Sequence, residues 1–482
     1  MTANAREHTL LFIFLNVYIL AKINIFTEKT YLCNLVKTMR MHTIRPISDP
    51  SRPKVYIETY GCQMNVNDSE VILSILQDNG YALTENIEDA DVILANTCSI
   101  RDNAEQRIWG RIDQFKIQKK KRNVVIGIVG CMAERLKDEL LKAVDIVAGP
   151  DSYRNLPMML EAVRPDSPQI NVLLSHEETY ADISPVRLDK NGISAFISIM
   201  RGCNNVCSYC IVPYTRGRER SRDPYTIVRE AQELWENGYK EVTLLGQNVD
   251  SYQWEDIGFA KLLEMVAGVN PQMRVRFSTS HPKDISDEVI HTMARHENIC
   301  RHIHLPVQSG SSSMLAKMRR KYDREWYLER VDKIRSVMPD CGITTDVIAG
   351  FSGETEQDHQ DTLSLMEKVV FDSAFMFAYS ERPGTLASKI YPDDIPYETK
   401  TARLNEIIAL QGRMSLKSNE KEIGNIMTVM VEGPSKKNKE ELCGRAGSNK
   451  MCVFPSLGEK PGDYCQVRVT AVTSATLICE RL

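Results

Sequence analysis

Met200-Arg201-Gly202-Cys203-Asn204-Asn205-Val206-Cys207-Ser208-Tyr209-Cys210 carries three cysteines at Cx3Cx2C spacing, directly after the apolar run Ala195 to Met200. A cubane of four irons takes four protein ligands when its only task is to carry electrons. Three thiolates on one short loop leave one iron open to bind something else. Zinc motifs pair C-x2-C with a second such pair or with two histidines, and no partner pair follows here. A zinc knuckle, or a ferredoxin-like cluster with Cys300 or Cys341 as a distant fourth ligand, stays open at this point.

The spacing, with an aromatic before the last cysteine and a strand before the first, resembles the signature of the radical S-adenosylmethionine (SAM) enzymes. That resemblance makes Cys203, Cys207 and Cys210 the catalytic set. It implies that their open iron chelates the amino and carboxylate groups of SAM. One electron from the cluster then releases a 5'-deoxyadenosyl radical that removes unactivated hydrogen atoms.

At 482 residues the chain exceeds one ordinary core and calls for two or three domains. A net charge of −4 argues against a nucleic-acid coat protein or a membrane-surface protein, so any RNA argument rests on local basic clusters. Thirteen cysteines, an odd count spread over a long chain, favour a reducing compartment with metal or cluster ligands over a disulfide scaffold. Leu10 to Ala21 is apolar but too short to span a bilayer as a helix. With Glu7 beside Arg6 and no small-x-small site after it, the stretch is a poor signal peptide. Residues 1–52 read as a poorly ordered extension, with Met39 or Met41 as the natural start.

Residues 53–168 alternate strand and helix in a doubly wound α/β pattern with a parallel sheet. Strands are expected at Lys54 to Tyr60, Ala90 to Asn96, Val124 to Val129 and Val144 to Ala148, with helices at Ser69 to Asn79, Arg101 to Lys120 and Met132 to Ala143. Three consecutive strands stop at a cysteine: Tyr60-Gly61-Cys62, Asn96-Thr97-Cys98 and Val129-Gly130-Cys131. The carboxyl ends of strands line the ligand crevice in open α/β sheets. For one cysteine a buried free thiol is an adequate account; three at equivalent positions point to a second three-cysteine [4Fe-4S] site. Gly61 and Gly130 are expected to let the backbone approach that cluster closely.

A Pro-, Ser-, Asp- and Glu-rich linker, Arg164 to Asn191, marks a boundary. Residues 189–419 then hold six strand–helix units, which describe an open TIM-type (β/α)6 barrel with its chemistry at the C-terminal strand ends. The first helix is expected at Asp223-Pro224, an N-cap carboxylate before a proline at N1, and another at Asp284. The polar strand ends nominate Gln247, Asn248, Ser280, Gln308, Gly350 and Glu354 as SAM-binding residues; His281 is as readily a turn cap. Arg216, Arg218, Arg220 and Arg222 follow the cluster loop and read either as a solvated face or as phosphate contacts. Lys119-Lys120-Lys121-Arg122 and Arg319-Arg320-Lys321 are weaker cases of the same kind. Residues 422–482, five short strands with glycine and proline between them, suggest a small closed β-barrel of OB type, a shape often used on RNA.

With the three blocks in place, residues 53–482 resemble the MiaB-type methylthiotransferases, a tRNA-modifying branch of the radical SAM superfamily. The likeness rests on Tyr60 to Asn65, Asn96 to Arg101, Gly130 to Ala133, Arg201 to Arg222, Gly350 to Thr355 and a C-terminal TRAM-like barrel. It implies two [4Fe-4S] clusters, an auxiliary one on Cys62, Cys98 and Cys131 and a SAM-binding one on Cys203, Cys207 and Cys210. The implied reaction places a methylthio group on carbon 2 of isopentenyladenosine beside the tRNA anticodon, at position 37, with the two clusters facing each other. The implied partners are tRNA, an electron donor such as flavodoxin or ferredoxin, and a sulfur donor or Fe–S carrier. A monomer in the cytoplasm, without a membrane, is expected. The branch acting on an aspartate of ribosomal protein S12 shows Pro-Lys-Asn after the first cysteine, where Gln63-Met64-Asn65 stands here. A branch acting on threonylcarbamoyl-adenosine is less similar at these places. A non-enzymatic Fe–S RNA-binding protein is the reading from another class.

Overall fold

The computed structural model describes residues 51–99, 102–164, 166–188 and 192–482. The extension expected over residues 1–50, and Ile100-Arg101 of the second cysteine motif, lie outside the described residues.

The run Ala90 to Asn96 has no polar face, as a strand covered on both sides requires. It forms β3 (Val92–Thr97) at the centre of a parallel sheet made with β1 (Lys54–Thr59), β2 (Ala82–Leu83), β4 (Val125–Gly130), β5 (Ile146–Ala148) and β6 (Gln169–Asn171). Val92 and Leu94 pack into one core with Ile72, Leu76 and Val129, while Ile93 and Ala95 enter the opposite core with Ile112, Phe115 and Ile128. The strand order is β2-β1-β3-β4-β5-β6, so the direction of winding reverses between β1 and β3. That switch point is where a doubly wound sheet opens its crevice.

Helix α1 (Gln63–Asp78) begins six residues before the expected Ser69, so Cys62 is its N-cap. Helix α2 (Asp102–Lys121) follows β3, and α3 (Cys131–Arg135) starts on the third cysteine. The helix expected through Ala143 breaks at Leu136 into α3 and a further short turn. The linker is not a loose tether. It supplies the edge strand β6, which carries the sheet past the expected boundary at residue 168. Its Tyr180 hydroxyl donates to the Pro150 carbonyl at 3.0 Å, and the Tyr180 ring stacks on Tyr153.

The central domain has two three-stranded parallel sheets. One is β7 (Ser194–Ser198), β8 (Glu241–Leu245) and β9 (Arg274–Ser278); the other is β10 (His302–His304), β11 (Gly342–Ala349) and β12 (Ser373–Ala378). A bridge from Val275 to Ile299 links them, and among the described residues β7 and β12 do not pair, which leaves the six-unit barrel open. Short α4 (Val212–Arg216) follows the cluster loop. Helices α5 (Pro224–Glu236), α6 (Phe259–Ala267), α7 (Asp287–Arg295), α8 (Arg324–Val337) and α9 (Glu356–Val369) cover the outside. Their Leu234, Leu262, Ile290, Ile334 and Leu365 meet Ile197, Leu244, Val275, Ile303 and Val347 in one core. Asp223 caps α5 as expected, accepting from the Tyr225 N–H at 2.9 Å. Helix α7 starts at Asp287, capped by Ser286, because His281 to Asp284 form a separate turn.

Helix α10 (Tyr397–Glu420) leads to a closed barrel of β13 (Ile426–Pro434), β14 (Glu441–Ala446), β15 (Met451–Pro455), β16 (Tyr464–Val472) and β17 (Leu477–Arg481), in the order β13-β14-β15-β17-β16. It docks on the N-terminal ends of the central strands. Arg274, at the start of β9, donates to the carbonyl of Thr428 at 2.9 Å and lies over the Tyr464 ring. Arg276 donates to the carbonyl of Ala446 at 3.1 Å, and Ser448 sits against Gly342. The β14–β15 turn thus closes the end of the barrel opposite the cluster loop.

Candidate active site

Parallel pairing brings the ends of β1, β3 and β4 side by side, and with them Cys62, Cys98 and Cys131. Cys98 and Cys131 are buried and Cys62 is exposed. An Asn65–Asn96 pair ties the three turns together. The Asn65 amide donates to Asn96 Oδ1 at 3.0 Å and to the Thr97 carbonyl at 3.2 Å, and Asn96 donates back to the Asn65 carbonyl at 2.8 Å. The two glycines are also required by this crowding. Both have positive φ, and a Cβ on Gly61 would stand 2.7 Å from Cys98 Cβ, one on Gly130 2.7 Å from the Thr97 carbonyl oxygen.

The second trio is held from three sides. Cys203 N–H donates to the Gly217 carbonyl at 3.1 Å, Cys210 N–H to Cys207, and Ser208 N–H to the Met318 carbonyl at 3.0 Å. Arg320 is buried with Nη1 3.3 Å from Cys207 Sγ, Nη2 on the Pro306 carbonyl and Nε on the Tyr322 hydroxyl. Burial pushes the Cys203 thiol up to about 11 and the Cys210 thiol up to about 12, the latter also raised by Cys207. Ligation has to displace those protons. Among the described residues no three His, Cys, Asp or Glu side chains surround a single metal ion. Zinc thiolates crowd within about 2.3 Å of one ion, whereas cubane thiolates sit on different irons. Each trio offers three sulfur donors, the donor chemistry of an iron–sulfur cluster. Cys300 and Cys341 lie at the N-terminal strand ends, bonded to Val275 and Met338, and cannot be a fourth ligand to the loop.

The phosphate-contact reading of the arginine run is corrected for three of its four members. Arg216, Arg220 and Arg222 are buried, and Arg218 is exposed. Arg216 pairs with Asp68 at 2.7 Å, Arg220 with Asp151 at 2.9 Å and Arg222 with Glu230 at 2.5 Å. Asp68 also takes Arg201 at 2.8 Å, so the N-terminal domain and the barrel meet through buried charge. In the weaker runs, Lys119 pairs with Asp145, Arg122 donates to the Ile87 and Ala90 carbonyls, and Arg320 is on Cys207. Lys120, Lys121, Arg319 and Lys321 stay exposed.

The proposed SAM contacts gather at the C-terminal strand ends but differ in what they have left to offer. Gln247 Oε1 is buried with no hydrogen-bond partner among the described residues, and the buried Ser280 hydroxyl faces the carboxylate of Asp250. Asn248 is committed to the turn: its amide donates to Asp284 at 2.7 Å and its oxygen accepts from the His281 N–H at 3.1 Å. Asp284 also accepts from Asn205 of the cluster loop at 3.2 Å, which locks the two loops together. Gln308 has a left-handed φ of 72° and exchanges backbone bonds with β11. Glu354 braces its own loop, accepting from the Gly350 N–H and from Arg403, each at 3.0 Å. His281 is a turn cap: its Nδ1 accepts from the Lys283 N–H, and burial with Arg320 and Lys283 nearby pushes its pKa down to about 2.

Sequence reasoning missed Asp250. Its buried carboxylate faces the Ser280 hydroxyl and the His281 N–H, and burial, with Asp284 nearby, outweighs them and pushes its pKa up to about 7. No local pattern signals this, because the cause is the covering turn 280–284. The unfolded chain ionises Asp250 near pH 4, so the folded protein binds more protons between about pH 4 and 7. Its stability contribution therefore falls as pH rises through that window and is flat above it. Asp250→Asn is expected to raise the melting temperature of the apo protein at pH 8 and to do so much less at pH 5. Differential scanning fluorimetry at both pH values checks this, and an equal shift at the two would refute it.

Comparison with known proteins agrees with this geometry. Family models match residues 54–149 (Uncharacterized protein family UPF0004), 197–366 (Radical SAM superfamily) and 420–480 (TRAM domain). The chain is 54% identical to the tRNA-2-methylthio-N(6)-dimethylallyladenosine synthase of Amoebophilus asiaticus, over 93% of this chain and 98% of that protein. It is 56% identical to the protein of that name in Phocaeicola vulgatus, over 89% and 96%, and 53% identical to that in Porphyromonas gingivalis, over 89% and 94%. Among solved structures, the radical SAM methyltransferase TsrM of Kitasatospora setae, with cobalamin and a [4Fe-4S] cluster bound, superposes with a TM-score of 0.52. It shares 12% identity, with 78% of this chain and 80% of that chain covered, a likeness of fold. From this identity and coverage, the chain belongs to the family of the tRNA-2-methylthio-N(6)-dimethylallyladenosine synthases, radical SAM proteins with a UPF0004 domain before the barrel and a TRAM domain after it.

Proposed function

We propose that this chain replaces the hydrogen on carbon 2 of isopentenyladenosine, next to the anticodon of tRNA, with a methylthio group, the reaction its relatives are named for. The observation that carries the reading is the pair of incomplete cysteine sets at the strand ends of adjoining domains. Arg216 ends α4, the short helix that follows the loop trio, and its Nε reaches Cys131 Sγ at 3.2 Å. When bound, one cluster with SAM on Cys203, Cys207 and Cys210 supplies the radical that takes the hydrogen, and a second on Cys62, Cys98 and Cys131 supplies the methylthio group.

The side chains do the holding. Arg320 and the Met318 carbonyl fix the loop, and Gln247, with the facing pair Asp250 and Ser280, offers oxygens to the ammonium and ribose of SAM. With the β14–β15 turn across the far end of the barrel, the reacting base enters at the cluster end, and the TRAM barrel holds a part of the tRNA distant from it. Exposed Lys120, Lys121, Arg218, Arg319 and Lys321 are left for phosphates. Electrons come from a flavodoxin- or ferredoxin-type donor and sulfur from a donor or Fe–S carrier. The enzyme works as a monomer in the cytoplasm; no described helix is long and apolar enough to cross a membrane.

Anaerobically reconstituted protein, given SAM, dithionite and isopentenylated tRNA, is expected to yield 2-methylthio-isopentenyladenosine together with 5'-deoxyadenosine, read by mass spectrometry of nucleosides. Deoxyadenosine without the modified nucleoside would reject the substrate and favour ribosomal protein S12. Neither product, from protein carrying its clusters, would reject the enzyme.

A further inference from the structure

Each cysteine trio has one deeply buried guanidinium laid against a thiol. Arg320 stands 3.3 Å from Cys207 and belongs to the same barrel. Arg216 does not belong to the domain it touches: it ends α4, just beyond Cys210, and its Nε reaches back to Cys131 Sγ at 3.2 Å. Helix α4 packs against α3, whose first residue is Cys131. The side chain is 3% exposed, and Nη2 is pinned by Asp68 at 2.7 Å. Nη1 is buried with no hydrogen-bond partner among the described residues. Cluster potentials follow net charge and hydrogen bonds to the sulfurs, and the groups around ligands tune them. Three thiolates around a cubane leave excess negative charge, which a fixed cation offsets more strongly in the reduced state.

We propose that Arg216 is a positioning residue lent by the radical SAM loop to the neighbouring cluster, donating from Nε to the Cys131 thiolate and from Nη1 to a cluster sulfur, so that it raises that cluster's reduction potential. This rests on the two-cluster reading above. It also makes the potential of one site depend on the fold of the loop that carries the other.

The test uses full-length protein with Cys203→Ala, Cys207→Ala and Cys210→Ala, in which only Cys62, Cys98 and Cys131 remain to hold a cluster. After anaerobic reconstitution, the potential is measured by redox titration followed by electron paramagnetic resonance. Adding Arg216→Gln is expected to weaken the preference for the reduced state about tenfold, a potential about 59 mV lower for one electron. Arg216→Lys is expected to recover part of that shift by keeping the charge. Arg201→Lys, which disturbs the same Asp68 without touching the thiol, is expected to leave the potential in place. An unchanged potential in Arg216→Gln overturns the inference. Should that variant not fold, Arg216→Lys decides: a shift that Arg201→Lys does not share supports the inference, and no shift overturns it. If the parent protein binds no iron, the two-cluster reading itself fails and this inference falls with it.

Discussion

Alanine at Cys62, Cys98 and Cys131 together is expected to cut the iron of reconstituted protein from about eight atoms per chain to about four. The same protein is expected to keep forming 5'-deoxyadenosine from SAM while losing the methylthiolated nucleoside altogether. The asymmetry follows from the layout. The loop trio is held by Gly217, Met318 and Arg320, all of them residues of the barrel domain. Under the proposed assignment, removing the strand-end thiols leaves the radical-forming site in place and takes away the one that supplies sulfur. Colorimetric iron analysis with chromatography of both products checks this. Eight irons retained in the triple variant, or methylthiolated product from it, would refute the assignment of these cysteines.

The second large effect is structural. Asp68 is fully buried and takes Arg201 at 2.8 Å on one oxygen and Arg216 at 2.7 Å on the other. Burial works to raise its pKa, and the two guanidiniums overcome that and hold the carboxyl below the usual range. Removing one member of a buried ion set strands the others, at a cost of about 3–5 kcal/mol. Asp68→Asn is expected to destabilise the protein by that amount and to expose the linker between the first two domains to protease. Urea unfolding and limited proteolysis read both, and a variant as stable and as resistant as the parent would show that this carboxylate does not tie the domains together. Because Asp68 keeps its charge down to a pH below 4, its contribution stays constant across the neutral range and is lost only as pH falls through its lowered pKa.

Much of the site was legible in the sequence, for a geometric reason. The Cx3Cx2C ligands share one loop, so their spacing alone brings them together. Cys62, Cys98 and Cys131 are far apart in sequence, yet a parallel sheet aligns strand ends, so three cysteines in that position imply one place. The β-strands of the central and C-terminal domains were equally readable, because alternation and chain punctuation are local signals.

What the sequence by itself determined, then, is the parallel sheet, the open six-unit barrel, the small closed barrel and the two cysteine trios, all set by neighbours along the chain or by strand polarity. Only the tertiary structure decided what the charges are for. Arg216 meets Asp68 across 148 residues and Arg220 meets Asp151 across 69, so a run that reads as a solvated face or as phosphate contacts became the seam between two domains. The same holds for Asp250, whose proton depends on the turn that covers it, and for the TRAM barrel, which docks at the strand end away from the cysteine trios. A charge in water and a charge in a protein interior have the same letter in the sequence; the energy that separates them comes from burial and from partners that folding alone brings near.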